Sequence, residues 1–301
     1  MEVIERHLGG DRLRLVDVGA RDGIDPRWNR FAAVIEATAF EPDEAECERL
    51  AATAASLAYP VRFLPHALWR EVADGVPFHV AKWPVASSLY PPNEEFLREF
   101  PLARALLATE EVRTISTTTL DQACTEHEVG CDVLKLDVEG AELDVLRGGE
   151  SVLAGALGLE VEVELNPVFA GQPLFADVDA HLRARGWALQ GLRRTSWLRG
   201  AAPQEGESGA GGQIVSADAL YLSAAAAGEL DLGRELKLLV IAAAYGQHDL
   251  VRMRLQSSGA LAESLSPGEL SELAATLAPP PAGDESPRAG GATVWHDEEF
   301  F

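Results

Sequence analysis

The sequence predicts an α/β fold, with a mostly parallel sheet closed by an antiparallel pair of strands and a small helical appendage behind it. Three observations carry this. Short apolar, β-rich runs alternate with helical stretches between residues 13 and 192, the signature of a parallel sheet with crossover helices. The first run ends in Gly19-Ala20, a turn out of a buried strand. From Glu229 onward the strand pattern stops and only helical spacing remains.

Residues 13–18 form the first expected strand. Residues 38–40 form the second, closed by Glu41-Pro42, and Asp43 caps a helix running to about Leu57, with Glu46 at capping-box spacing. Residues 61–64 form the third strand, stopped by Pro65-His66. Residues 77–80 and 112–118 read as short strands within an insertion over the carboxyl edge of the sheet. Between them lie the loop 87–93 and a short helix at 94–100. A helix at 120–127 leads to a buried strand at 133–138, a helix at 141–146 ended by Gly148-Gly149, and a strand at 159–165. An amphipathic helix at 174–185 precedes the closing pair, 187–192 and 219–222, joined by a Gly/Glu/Ser-rich loop at 204–212. Helices at 232–245, 249–256 and 267–277 form the appendage. The expected organisation is a main domain at 1–225, the helical appendage at 226–278 and a poorly ordered acidic tail at 279–301, opened by three prolines and ending in an aromatic-acidic run.

Composition excludes several classes. The 301 residues hold 25 Lys+Arg against 48 Asp+Glu, a net charge of −23. Such a surface repels phosphate backbones and anionic headgroups, so neither nucleic acid nor membrane is an expected partner. Cys47, Cys124 and Cys131 are odd in number and lack C-x-x-C spacing, which argues against a disulfide framework or zinc site. Met1 to Gly10 has no apolar leader and the longest apolar run, 238–244, is too short to cross a bilayer, so the cytoplasm is the expected compartment.

The turn after the first strand reads Asp17-Val18-Gly19-Ala20-Arg21-Asp22-Gly23. A dinucleotide fingerprint needs glycines at 19, 21 and 24, where Gly19, Arg21 and Ile24 stand. A P-loop needs a following Gly-Lys-Ser/Thr, which is absent. An acid ahead of two spaced glycines instead suits a ligand with a cationic amino-acid end and no pyrophosphate. Glu41, at the end of the second strand, is placed to accept from both hydroxyls of a ribose, although capping the next helix would also explain it.

These segments, with Phe40-Glu41-Pro42, Ser87-Ser88-Leu89, Thr119-Leu120-Asp121, Leu134-Lys135-Leu136-Asp137-Val138-Glu139-Gly140-Ala141-Glu142 and Glu162-Val163-Glu164, resemble the FkbM-type methyltransferases over roughly residues 12–222. The run from Lys135 to Glu142, followed by Val145-Leu146-Arg147-Gly148, is the most specific part. The resemblance implies a Rossmann-like methyltransferase fold, S-adenosylmethionine as cofactor, and methyl transfer to a hydroxyl of a sugar or polyketide-type natural product. Arg21 stands where the general methyltransferase loop often has glycine.

The expected cofactor contacts are Asp17, Gly19, Ala20, Arg21, Asp22, Gly23, Glu41, Pro42, His66, Ala67 and Asp137. The expected catalytic groups are Asp137, Glu139, Glu164 and His66. Asp137 closes an apolar buried strand, where a carboxylate needs a partner or a task. Glu142 is explained by the preference of acids for helix starts, and Lys135 as a charge partner. Glu160, Glu162 and Glu164 share one face of a strand. An exposed face accounts for Glu160, whereas Glu164 and Asn166 are candidate acceptor contacts. A divalent cation on Asp137, Glu139 and Glu164 suits their oxygens, but no compact ligand motif appears and no metal is expected. His127 and His181 read as structural. The 87–93 loop, with Tyr90 and Asn93, reads equally as an acceptor-binding lid or a proline-shaped surface turn. Trp69 and Trp83 read as sugar-stacking or core residues. The expected partner is a small-molecule or glycan acceptor. N-methylation, and a non-catalytic binding or scaffold protein on the same fold, stand as alternatives.

Overall fold

Strand β1 (Leu13–Val18) lies in the interior of the main sheet, where Leu13, Leu15, Val16 and Val18 are buried on its two faces. The computed structural model describes residues 1–54, 56–199 and 212–279. The strands that follow are β2 (Ile35–Phe40), β3 (Val61–Leu64), β4 (Ala67–Leu68), β5 (Ala73–Ala81), β6 (Thr109–Thr118), β7 (Val133–Leu136), β8 (Gly158–Glu164), β9 (Ala188–Trp197) and β10 (Gln213–Leu222). The main sheet runs β3-β2-β1-β7-β8-β10-β9, parallel except for β10, which pairs antiparallel to both neighbours. The expected mostly parallel sheet with an antiparallel closure is the observed one. The order reverses between β1 and β7, so their carboxyl ends open the crevice in which α/β sheets bind ligands. A smaller sheet, β4-β6-β5, comes from the insertion expected at residues 70–118.

Several elements differ in extent. Between β1 and β2 the chain forms a 3₁₀ helix, Pro26–Val34, capped by Asp25. The strand expected to reach Val138 stops at Leu136, because Glu139 and Gly140 have φ of 55° and 97° and leave the sheet plane. The closing strands are longer than their apolar cores indicate. The expected 204–212 loop, save its last residue, and the tail beyond 279 lie outside the described residues.

Alternation divides the strands between two cores. Val16 and Val18, Leu134 and Leu136, Leu159, Val161 and Val163 face one side, against the helices Leu120–Glu126, Glu142–Arg147 and Phe175–Arg183. Leu13, Leu15, Ile35, Ala37, Val133 and Leu222 face the other. There they meet the N-terminal helix Glu2–Leu8, the 3₁₀ helix and the C-terminal helix Leu232–Ala244.

That last contact changes the place of the expected appendage. Every residue from Glu235 to Ala243 is buried, and the helix belongs to the same core as β1 and β2. Residues 226–278 therefore complete one face of the sheet rather than hang beside it. Local sequence could not show this, because an amphipathic helix looks alike whether it covers a neighbour's sheet or its own. Charge ties the region down. Lys237 Nζ donates to Asp11 at 2.9 Å and to Asp132 at 3.1 Å, and Asp132 also takes both ends of the Arg14 guanidinium. Arg254 grips the fully buried Glu235 from the next helix. Glu269, in a capping box with Ser266, binds Arg6 and His7 of the first helix.

Ending the chain at Ser223 should therefore abolish cooperative unfolding in a thermal melt rather than release a stable smaller domain; a sharp transition in the shortened chain would contradict the shared core. Glu235→Ala, which strands a buried guanidinium, should cost about 3 kcal/mol by urea denaturation.

Candidate functional site

The upper half of the face covered by the C-terminal helix is charged where the lower half is apolar, and strand register explains the switch. Asp17 on β1 lies beside Lys135 on β7, and Lys135 beside Glu160 on β8. One pleat further up, Glu162 on β8 faces Asp218 on β10, which faces Arg193 on β9. Asp137 leaves β7 at this level. Like charges opposite one another destabilise a sheet unless cations intervene. Lys135 Nζ lies 3.4 Å from Asp17 and 3.2 Å from Asp137. Arg193 pairs with Asp218, and Arg27 reaches Glu160 at 3.3 Å. Glu160 is buried, with Tyr245 of the C-terminal helix donating to it at 3.0 Å, so the exposed strand face expected for it is covered.

Burial penalises the charge on Lys135, but Asp137 and Asp17 outweigh it and hold its pKa above the ordinary lysine value. Burial also works against Asp137, yet Lys135 and a hydrogen bond from Glu162 keep its pKa below the usual carboxylate range. Asp17 goes the other way, pushed up by burial to about 6. Glu139, Glu162 and Glu164 are all raised, first by burial and then by neighbouring acids.

Gly19 and Gly23 have φ of 84° and 82°. A Cβ on Gly19 would fall 1.7 Å from the Asp137 carbonyl oxygen, so only glycine lets the β1 turn approach the end of β7. The turn opens a pocket. Of the expected contacts, Gly19, Arg21, Asp22, Gly23, Glu41, Pro42, His66, Ala67, Asp137 and Glu139 line it. Asp17, Ala20 and Glu164 do not. Ala20 is buried behind the turn, its N–H donating to Phe40. Asp17 lies beneath it, and its Oδ1 accepts no hydrogen bond. Lys135 and Ser87 also line the pocket, and the rest of the wall is apolar, including Phe78 of β5, Ile115 of β6, Pro84 and Val85. Sequence reasoning missed these, since they lie far along the chain from the motifs; the alternation of Val76, Phe78 and Val80 was the available signal.

Glu41 is 4 % exposed. Its Oε1 accepts from the Asp43 N–H at 3.0 Å and from Arg21 at 3.3 Å. The carboxylate thus steadies the next helix through one oxygen, while the other has no hydrogen-bond partner among the described residues. His66 Nε2 lies 2.8 Å from His127 Nε2, so one ring donates and the other accepts. Burial and His127 lower the His66 pKa. Engaged in this way, His66 reads as pocket wall rather than base, and the structural reading of His127 becomes that of its partner.

The 87–93 loop is latched down. Ser88 Oγ donates to the Glu139 carbonyl at 2.5 Å, and Tyr90 donates to Asp144 at 2.6 Å. Asn93 caps the helix Glu94–Leu97. Asn166 bonds Ile214 and Gln213, joining β8 to β10 rather than pointing to an acceptor. Trp69 stacks under Arg70, and Trp83 packs in the insertion core; neither lines the pocket. Glu142 Oε1 accepts from Val138 N–H at 2.8 Å and Gly140 N–H at 3.3 Å, which fixes the turn carrying Asp137 and Glu139. No helix among the described residues is long and apolar enough to cross a membrane.

Strand order, glycine turn and acid-flanked crevice together define a methyltransferase-type α/β domain. The family model described as "Methyltransferase FkbM domain" matches residues 17–187. The chain belongs to that family. Among solved structures it is similar to a methyltransferase FkbM from Methylobacillus flagellatus KT, with 14 % identity, 70 % of this chain and 44 % of that one covered, and a TM-score of 0.38. It is also similar to the magnesium protoporphyrin IX methyltransferase of Synechocystis PCC 6803 with bound S-adenosylmethionine (11 %, 74 % and 77 %, 0.33) and to an rRNA methylase from Streptococcus thermophilus (10 %, 74 % and 92 %, 0.31). The chain thus spans less than half of the Methylobacillus protein. Among curated proteins, none matches it.

The pKa of Glu142 is pushed up from 4.5 to about 7, chiefly by burial. A carboxyl raised on folding binds its proton more tightly in the folded state, so its contribution to stability is greatest in acid and falls as pH rises toward 7. Glu142→Gln keeps the oxygen acceptor and loses the charge. Its stability relative to the unsubstituted protein should rise between about pH 4.5 and 7, by up to roughly 3 kcal/mol, and then level off; urea titrations across that range showing a pH-independent difference would refute this.

Proposed function

We propose that the protein methylates a hydroxyl of a sugar or other small natural product, binding S-adenosylmethionine in the pocket between the β1 turn and the end of β7. One observation carries the reading. A single crevice brings together the glycine turn, the half-engaged Glu41 and the carboxylates of Asp137 and Glu139. The residues fit the cofactor. The spare oxygen of Glu41 suits ribose hydroxyls, and the apolar insertion wall suits an adenine.

When bound, S-adenosylmethionine supplies an electrophilic methyl group on its sulfonium. The chain aligns the acceptor and handles its proton. Asp137, held ionised by Lys135, is the group suited to take the hydroxyl proton. Glu139 keeps its own proton more tightly and so serves better as a hydrogen-bond donor; two carboxyls whose environments push their pKa values apart divide such roles. Strong negative surface charge supports a neutral or cationic acceptor over a polyanion.

Calorimetric titration should show S-adenosylmethionine binding, weakened about 10- to 100-fold in Glu41→Ala, which loses a charged acceptor for the ribose. Asp137→Asn should lower kcat by roughly 100-fold or more while the cofactor still binds. Mass spectrometry of metabolites incubated with isotopically labelled methyl donor would identify the product, and label found only on nitrogen would overturn the hydroxyl assignment.

A further inference from the structure

The ribbon formed by β5 and β6 has one strand edge that no strand among the described residues covers. β6 pairs with β5 along one side, and on the other it meets β4 only at Thr117 and Thr118. From Thr109 to Thr114 every residue of β6 is exposed. The direction of its open backbone groups follows from β5. His79 donates its N–H to the Ser88 carbonyl and accepts from the Ser88 N–H, so both of its backbone groups point away from β6. In an antiparallel pair the residue opposite, Val112, then turns its own N–H and C=O away from β5, toward the open side, and Thr114 does the same two residues on. The outer edge of β5 is blunted, because Pro77 offers no N–H there and Ser88 occupies the place beside His79. Residues 111–115 of β6 hold no proline, glycine or bulge, so their edge is a regular template for another strand.

A strand that docks here must answer its charges. Glu111 and Arg113 share one face of β6 and pair with each other at 2.8 Å, both remaining more than half exposed. Val112 between them lies on the other face and is 56 % exposed. The three residues read acid, apolar, base, a pattern complementary to itself when reversed. Two copies laid antiparallel with Val112 opposite Val112 set Glu111 of each copy against Arg113 of the other, and the two Val112 side chains stand together out of water. Neighbouring registers fail. A twofold centred on Glu111 sets acid against acid, and one centred on Arg113 sets guanidinium against guanidinium. Charge thus selects one register and discourages indiscriminate pairing of the edge.

We propose that the open edge of β6 pairs antiparallel with β6 of a second copy of this chain, centred on Val112 and held by two reciprocal Glu111–Arg113 pairs. The small sheet of each copy becomes half of one continuous sheet. The contact is narrow, so association depends on concentration rather than being obligate. The net charge of −23 on each copy opposes it at low ionic strength. Ile115, two residues beyond Arg113 on the same face, lines the proposed methyl-donor pocket, as does Phe78 opposite Arg113 on β5, so the paired edge is continuous with that wall. The pairing itself does not depend on methyl transfer.

The test is sedimentation equilibrium of the full chain from about 1 to 200 μM in about 0.15 M salt, which screens the net charge. A monomer–dimer equilibrium should appear. Val112→Pro removes the outward N–H and should abolish the dimer. Glu111→Arg and Arg113→Glu each set like charges together and should weaken the dimer about tenfold or more, while the double exchange Glu111→Arg/Arg113→Glu should restore it. Mixed together, the two single variants should form a heterodimer, since one copy then presents only bases and the other only acids. The exchanged side chains are exposed, so these variants should melt with the unsubstituted protein; should Val112→Pro fail to fold, the charge exchange and the mixing experiment decide. A monomer throughout the concentration range would overturn the proposal. So would a dimer that the charge variants leave unchanged, or two single variants that do not associate when mixed, because the copies would then meet elsewhere.

Discussion

Lys135 joins two carboxylates that would otherwise repel each other across neighbouring strand ends. Asp17 lies beside it in the β1–β7 register and Asp137 follows two residues on, just past the end of β7. Burial alone would strip the charge from any of the three. Together they stay in place, because each supplies the field the others need. The crevice exists between these two strand ends. The β1 turn can approach β7 only because residue 19 lacks a Cβ, and Asp137 is directed into the pocket only because the chain turns out of the sheet behind it.

Around this contact the sheet face is divided by height. The lower rows carry Leu13, Leu15, Val133 and Leu222 and are covered by apolar helix. The upper rows carry Asp17, Lys135, Glu160, Glu162 and Asp218 and are covered by side chains that answer charge: Arg27 from the 3₁₀ helix, Arg193 from β9 and Tyr245 from the end of the C-terminal helix. The C-terminal helix therefore serves both halves. It buries the apolar rows, and its last turn donates a hydrogen bond to the acid ladder. The carboxyls on this half-face stay inside because neighbouring cations and the Tyr245 hydroxyl answer their charge.

The insertion plays the complementary part. Its small sheet contributes Phe78 and Ile115 as an apolar wall, and its loop is fastened to the site by the Ser88 and Tyr90 hydroxyls. The loop reads in sequence as a lid or a surface turn, yet it is a fixed wall, because the Ser88 hydroxyl finds an acceptor on the turn that bears the acids and the Tyr90 hydroxyl finds one on the helix that follows it. The histidine pair shows the same effect. His66 looks like a free base until His127, 61 residues away, is found against it.

Much of the fold was legible in the sequence. Apolar runs bounded by glycine and proline marked the parallel strands, since burial on both faces leaves no other composition open to them. Gly19, Gly23, Glu41 and Asp137 were readable as one site because each stands at a strand end, and in a parallel sheet those ends gather at one edge. Only the tertiary structure decided the rest. It showed which oxygen of Glu41 is spare, that Asn166 and Glu142 serve the backbone, that Glu160 is covered, and that residues 226–278 belong to the core. The reason is common to all four. A residue's own chain neighbours fix its periodicity and backbone preference, but its charge partners and covering surface come from segments distant in sequence, and those are set only when the strands have taken their register.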